Sequence, residues 1–454
     1  MRVAIIGGGI SGLASAFYIK HFNPKAQVTI FEKEPNLGGK IATTKKGEFL
    51  FEAGSNGFLS NKEETFEFIN LLGLNDLLLK SNDSSRIRYI YDKEKLKRLP
   101  SSPKEFLTTN ILPPLAKLRV AKEYFIKPKL DDIDETMFDF GNRRLGKEFT
   151  RVFLEPMSAG IYGSTARLLS IHSAFPKIIQ MEREYGSLFK AMKKRKKGGS
   201  PTGVLTSFKG GMSSFITALE KKLQATIFKN TEVRKITKEK NRFDDTVYQI
   251  EFKELDVRKD FTATFDKVIF STPADATSKL FLNLDREVAN YLAGIKYIPM
   301  SLVGFGYDSL NTNLNAFGLL TTKESQKDIL GALFDSSIFN DRAESGKSIR
   351  FMIGGARDPK LAFESEDELI NICKAEARDI LKIDKEPSEI FIKRWNRAIP
   401  SYEVGHKRRV EKIFKLLSNH ENLFLNSNAY FGVGFNDCII NSIKIAKEAL
   451  KDSK

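Results

Sequence analysis

Val3-Ala4-Ile5-Ile6-Gly7-Gly8-Gly9-Ile10-Ser11-Gly12 is the stretch that decides the fold. Its first four residues form a short apolar run. The next six fit the spacing GxGxxG, and Leu13, Ala14, Phe17 and Tyr18 follow at helical intervals. The order is strand, glycine turn, helix. A second apolar run, Val28 to Phe31, ends on Glu32, 20 positions past the last glycine. A βαβ unit of this kind belongs to a parallel sheet covered on both faces. Each part answers a physical need of dinucleotide binding. Gly7 allows the tight turn, Gly9 lets the backbone approach a pyrophosphate, and Gly12 lets helix and strand pack closely. The helix N-terminus offers free N–H groups and the positive end of its dipole to phosphate. Glu32 can accept hydrogen bonds from ribose hydroxyls.

Outward from this unit, Glu48 to Glu52 alternates like a strand and leads into Ala53-Gly54-Ser55-Asn56-Gly57. Residues 62–80 read as a helix and 86–91 as a strand. From 104 to 192 the pattern is mostly helical, broken by prolines, and a polar basic break at 193–203 ends it. Gly210-Gly211 again precedes an amphipathic helix. Strands are expected over 231–270 and at Leu423–Leu425, and Gly432-Val433-Gly434 opens a closing helix with Ile439, Ile443 and Ala446 on its apolar face.

The chain of 454 residues has 41% hydrophobic and 29% charged residues, enough for a large core. Lys plus Arg exceed Asp plus Glu by 16, which favours an acidic substrate or a polyanionic surface. Two distant cysteines, Cys373 and Cys438, exclude a disulfide framework and a zinc ribbon. The four histidines lack metal-ligand spacing, so no metal is expected. No run reaches the ~18 apolar residues of a membrane-spanning helix, and no signal peptide is read at the N-terminus. Nucleic acid is excluded as a partner because the basic residues are scattered and no recognition motif accompanies them.

Two further glycine stretches choose between flavin and nicotinamide. Gly38-Gly39-Lys40 suggests a backbone that also approaches the cofactor, and Gly432-Val433-Gly434-Phe435 stands at a helix start. A helix N-terminus aimed at a flavin stabilises the negative charge that develops on reduction, whereas nicotinamide loses a positive charge. The reading is non-covalent FAD.

At this point the residues carry a likeness. The chain resembles the flavin-dependent protoporphyrinogen oxidases and their coproporphyrin-forming relatives, within the amine-oxidase-like flavoproteins. The motifs are Phe51-Glu52-Ala53-Gly54-Ser55-Asn56-Gly57-Phe58, Arg143-Arg144-Leu145-Gly146 through Phe175-Pro176, Ala398-Ile399-Pro400-Ser401-Tyr402 with Gly405-His406, and Gly432-Val433-Gly434-Phe435-Asn436-Asp437. Ser55 stands where the family usually has proline, and Lys40 where arginine is common. The resemblance implies oxidation of protoporphyrinogen IX to protoporphyrin IX in haem biosynthesis, with coproporphyrinogen III as the alternative substrate. Six electrons would leave as three hydride-and-proton steps to flavin N5, with oxygen or another acceptor reoxidising the flavin. Amine or carotenoid oxidation and a non-catalytic basic membrane scaffold are the remoter alternatives.

Carried over residue by residue, Gly7, Gly8, Gly9, Ile10, Ser11, Gly12, Glu32, Lys33, Gly39, Lys40, Gly54, Ser55, Asn56 and Gly57 would hold the FAD. Val233 would meet the adenine through its backbone, and Trp395, Val433, Gly434 and Phe435 would flank the isoalloxazine. Gly160, Phe317, Leu320 and Met352 would line the substrate pocket, and Arg88 would pair with a propionate; no acid or base is assigned. The implied architecture is α/β (α+β overall). Residues 1–85, 204–275 and 395–454 would form a Rossmann-like FAD domain, 86–103 and 276–394 a mixed-sheet substrate domain, and 104–203 a helical, membrane-associating domain. Lys193 to Lys197 reads as a solvated loop. Residues 115–127 could supply an amphipathic helix for an anionic membrane surface. Expected partners are the porphyrinogen, an electron acceptor, that membrane surface and a downstream chelatase; the expected location is the cytoplasm, peripheral on the inner face of the cell membrane.

Overall fold

The structure, a computed structural model, describes residues 1–196 and 203–451, without the side chains of 195 and 196. Arg2–Ile6 is a strand buried from its second residue on, and it runs parallel to Gln27–Phe31 on one side and Lys267–Phe270 on the other. Thr226–Phe228 and Leu423–Leu425 complete a five-stranded parallel sheet in the order 226–228, 27–31, 2–6, 267–270, 423–425. One sheet thus collects the N-terminal, middle and C-terminal segments. Its near-continuous Val/Ile/Phe strands follow from burial on both faces.

One face packs against the first helix, Ile10–Phe22, the helix Met212–Lys222 and the closing helix, Phe435–Ala449, through Leu13, Ile19, Phe215, Ile439 and Ala446. Asn426 pins these helices: its amide donates to Ser11 O, Ser15 Oγ and Ser442 Oγ at 3.2, 2.8 and 2.9 Å. The other face is covered by the antiparallel strands 231–265 and by the helices Ala274–Phe281, Arg286–Ala293 and His406–Leu417.

A seven-stranded mixed sheet is built in the order 389–400, 297–307, 347–354, 329–333, 318–321, 88–92, 95–98. The helix Glu366–Leu381 covers one face over Val303, Phe305, Ile349, Phe351 and Ile353. Alternation sends Leu302, Gly304, Arg350, Met352, Phe391 and Trp395 to the opposite face. Across that face lies the strand Phe49–Glu52. Its rings fit because Gly304 and Gly306 carry no side chain: a Cβ there would stand 2.5 Å from Phe51 and 2.4 Å from Phe49.

Residues 103–196 form short helices tied by buried ion pairs of the Arg143-Arg144 motif. Arg143 binds Glu135 and Glu182 at 2.5 and 2.6 Å, and the fully buried Arg144 binds Glu123.

Several expectations change. The helix expected over 62–80 stops at Leu71 and is followed by a short strand, Leu78–Lys80, because Gly73 adopts a left-handed φ of 62°. The division expected at 395 falls inside the strand Glu389–Pro400, whose whole length pairs in the seven-stranded sheet. The segment 276–293, expected with the substrate sheet, packs instead on the parallel sheet's core. Leu188–Lys196 is a helix, so the basic run starts on a helix rather than in a loop. The rest of that run and Gly198-Gly199-Ser200-Pro201 lie outside the described residues.

Candidate active site

The parallel strands end along one edge, where Gly7, Glu32, Ser271 and Asn426 follow their last residues. That edge, at the reversal of strand order, is where doubly wound sheets bind nucleotides. The Gly12 Cα packs so closely that an added Cβ would stand 2.0 Å from Gly7 O. At Gly9, by contrast, a Cβ would meet nothing within 4 Å. No side chain caps the first helix, so its amides are left for a ligand.

Gly38 and Gly39 have φ of 102° and 60° and bring the backbone beside this turn: Gly38 N–H donates to Gly8 O at 2.8 Å, and a Gly39 Cβ would lie 3.4 Å from Gly9 Cα. Lys40 follows, its ammonium 5.2 Å from the centre of the Tyr297 ring. Burial pushes its pKa down to about 8, with Arg397 adding to the effect and Asp275 opposing it. A half-buried cation of this kind calls for an anion. Glu32 accepts from Gly8 N–H at 2.6 Å and Glu34 N–H at 2.9 Å, while burial holds its pKa above the usual carboxylate range. Its carboxylate keeps further acceptor capacity for a ribose. Lys33 forms an ion pair with Glu232, the neighbour of Val233, at 2.8 Å. Val233 sits at a register shift between strands 231–240 and 246–254, which releases its neighbourhood from regular ladder pairing.

The segment Gly54–Gly57 lies against Lys40; a Cβ on Gly54 would stand 2.1 Å from Lys40 O. Asn56 buries both amide atoms without a partner, as Ser271 does its hydroxyl. Burial of a polar atom without a partner is costly, and a bound ligand relieves it. At the third approach, Gly432 N–H donates to Tyr402 Oη at 2.9 Å, Tyr402 Oη donates to Asn428 O at 2.8 Å, and the Tyr402 ring stacks on His406. This fixes the turn before Phe435–Ala449. Asp437 takes the Gly434 N–H at 3.2 Å. The Phe435 ring stacks on Phe58 in the core, so Phe435 can offer a ligand its backbone only. Glycine approaches, an uncapped helix start, a half-buried amine and orphaned amide atoms fit a dinucleotide carrying a flat ring system.

On the face of the seven-stranded sheet opposite the helix Glu366–Leu381 the register forms two cross-strand rows. One runs Ile90, Leu320, Gly331, Met352, Leu302, Lys393; the next runs Arg88, Gly318, Leu333, Arg350, Gly304, Phe391. Leu320, Met352 and Trp395 join one apolar cluster with Met300, Leu302 and Ala398. Gly160 belongs beside them, since a Cβ there would lie 2.8 Å from Leu320 Cδ2. Arg88 is exposed at the end of its row, its guanidinium 5.0 Å from the Phe317 ring centre. Phe317 therefore supports Arg88 and is not part of the Leu320 cluster.

Sequence motifs pass over Arg350, Asp335 and Arg342. A charge in the run Ser348-Ile349-Arg350-Phe351-Met352 breaks an otherwise apolar strand, and that is the signal that could have found the first.

The model of the flavin-containing amine oxidoreductases matches residues 10–450. A coproporphyrinogen III oxidase of Bacillus subtilis (strain 168) is 27% identical over 99% of this chain and 98% of its own length. A mitochondrial protoporphyrinogen oxidase of Nicotiana tabacum is 28% identical over 94% and 90%. A crystal structure from Exiguobacterium sp. 255-15 superposes with a TM-score of 0.85 at 24% identity, covering 98% of both chains.

Proposed function

The chain belongs to the flavin-containing amine oxidoreductases, and from that premise we propose that it oxidises a porphyrinogen to the porphyrin. The observation that carries the proposal is the apolar cluster of Leu320, Met352 and Trp395 beside Gly160, with Arg88 exposed at the end of the neighbouring cross-strand row. A flat macrocycle with acidic arms needs apolar walls and a cation. When bound, the FAD supplies the electron acceptor. The residues Gly7–Gly12, Glu32, Lys40 and Gly54–Gly57 hold it, Val233 meets the adenine, and Val433 and Gly434 flank the ring. Leu320, Met352 and Trp395 orient the substrate and exclude water, and the chain's chief contribution is this positioning.

Protoporphyrinogen IX is the first substrate to test. Coproporphyrinogen III is the second reading, favoured by the Bacillus subtilis relative that matches this chain almost end to end. Mixing each anaerobically with the purified protein should bleach the flavin band, and the ratio of rates names the substrate. No bleaching by either overturns the proposal. In the same assay Arg88→Ala should weaken porphyrinogen binding about tenfold or more, the loss of one charge-assisted contact, with flavin content unchanged. An unchanged affinity removes Arg88 from the site.

The partner proposed besides substrate and acceptor is an anionic membrane surface. Among the described residues no helix is long and apolar enough to cross a membrane. Yet Leu115 and Leu118 on the helix Pro114–Ala121 and Phe125 on the tighter turn that follows are 80%, 61% and 82% exposed, with Lys122 and Lys127 exposed in the same segment. Binding to vesicles containing phosphatidylglycerol should exceed binding to phosphatidylcholine alone, weaken with salt, and fall several-fold in Leu115→Ser/Phe125→Ser. Equal binding of the variant excludes this face.

A further inference from the structure

We propose that Arg350, aided by Trp395, is a positioning residue for the flavin: the two side chains hold three consecutive carbonyls of the Glu52–Gly54 turn, so that the amides of Gly54 and Ser55 face the cofactor. The proposal rests on the reading that Gly54–Gly57 meet the flavin.

Arg350 is almost fully buried on the strand Lys347–Gly354. Its Nε and Nη2 engage both oxygens of the buried Asp335 at 2.8 and 3.1 Å. Asp335 thus answers the charge and locks the guanidinium plane, as the planar fork allows. Nη1 is left over, and it donates to Glu52 O at 2.7 Å and Gly54 O at 3.2 Å. The carbonyl between them, Ala53 O, accepts from Trp395 Nε1 at 2.5 Å. Donors from two strands of the substrate sheet therefore claim every carbonyl of a three-residue turn, 296 to 342 positions away in sequence.

A trans peptide plane carries its C=O and the following N–H on opposite sides. With Ala53 O turned to Trp395 and Gly54 O turned to Arg350, the N–H groups of Gly54 and Ser55 point away from the substrate sheet. Lys40 and the orphaned Asn56 amide flank the same turn. The Glu52 side chain is held as well: it pairs with the fully buried Arg342 at 3.0 Å and accepts from Met212 N–H at 2.9 Å and Thr43 Oγ1 at 2.7 Å. Met352 shares the face of Arg350 two residues on, and Trp395 belongs to the same apolar cluster as Met352. The substrate wall and the flavin-facing turn are thereby built on one rigid sheet, which sets the separation between the two reactants.

The test uses Arg350→Lys, which keeps a cation opposite Asp335 but loses the fork, and Trp395→Phe, which keeps a ring but loses the N–H. Flavin dissociation constants and melting temperatures with and without FAD are measured for both. The expected result is a flavin dissociation constant raised about tenfold in each, a shifted visible flavin band, and a melting temperature that falls more with FAD than without it. Equal falls with unchanged flavin affinity would mean packing alone and overturn the proposal. Asn56→Ala separates the premise from the inference. If it weakens flavin while the other two do not, the clamp fails and the flavin site stands. If all three leave flavin affinity unchanged, the site reading fails and the clamp with it. Should Arg350→Lys not fold, Trp395→Phe decides alone.

Discussion

Gly9→Val is expected to give a folded protein that carries no flavin. Gly9 has φ −71° and ψ 175°, extended backbone open to any residue, and a Cβ there meets nothing within 4 Å. The valine side chain therefore fits the protein and occupies the space through which a diphosphate would approach. Losing glycine as the N-cap costs about 1 kcal/mol or less, so the flavin-free variant should melt within a few degrees of flavin-free wild type. Gly12→Val should behave in the opposite way. Its Cβ would stand 2.0 Å from Gly7 O and 3.2 Å from Ile5 Cγ2, so helix and strand must part and the fold itself is lost. Gly7 fails for a third reason, since φ is 105° and a Cβ would press on the Ser271 carbonyl at 2.9 Å. The ratio of flavin to protein absorbance, with melting curves of the flavin-free proteins, separates the three. A normally yellow Gly9→Val protein would place the phosphates elsewhere.

How much of the fold and site is legible in the amino-acid sequence follows how local each signal is. The turn Gly7–Gly12, the strands on either side and the closing helix are legible because short-range periodicity and glycine punctuation specify them. The parallel sheet's assembly from three distant segments comes from the family likeness, and so do the pocket residues. Contacts between remote positions leave no such trace. Nothing near Glu52 announces that its carbonyl belongs to Arg350, 298 positions on. The same holds for the strand Glu389–Pro400, whose pairing with Tyr297–Tyr307 carries it across the expected division at 395. Side-chain direction is a further limit: the motif places Phe435 at the cofactor, and packing against Phe58 turns its ring into the core. The segment 115–127 is expected to be one amphipathic helix; it is a short helix, Pro114–Ala121, followed by a tighter turn, with Leu115, Leu118 and Phe125 outward and Val120 and Glu123 inward. An apolar stripe in sequence does not say which partner covers it.

Lys40→Met should move two quantities in opposite directions. In the flavin-free protein the amine's pKa is pushed down to about 8, chiefly by burial, while an unfolded chain holds it near ~10.4. The folded state therefore disfavours the proton. Its cost is absent above the unfolded value, grows as pH falls through the window between the two, and is complete below about 8. Removing the amine should raise the melting temperature of the flavin-free protein at pH 7 and leave it unchanged above pH ~10.5. Flavin binding should respond the other way. The protonated amine is a half-buried cation with no carboxylate hydrogen-bonded to it among the described residues, placed beside the glycine turn; a diphosphate completes it. Its loss should weaken flavin binding about 10- to 100-fold at neutral pH, the range of a charge-assisted hydrogen bond. Because the diphosphate prefers the charged amine, wild-type affinity should be flat below about pH 8 and fall by up to tenfold per unit above it. Lys40→Met should lose that slope. A variant that is less stable without flavin, or a wild-type affinity that stays flat through pH 9, would take Lys40 away from the phosphates. Both results together would identify the amine as a group held at a cost to the fold for the sake of the cofactor.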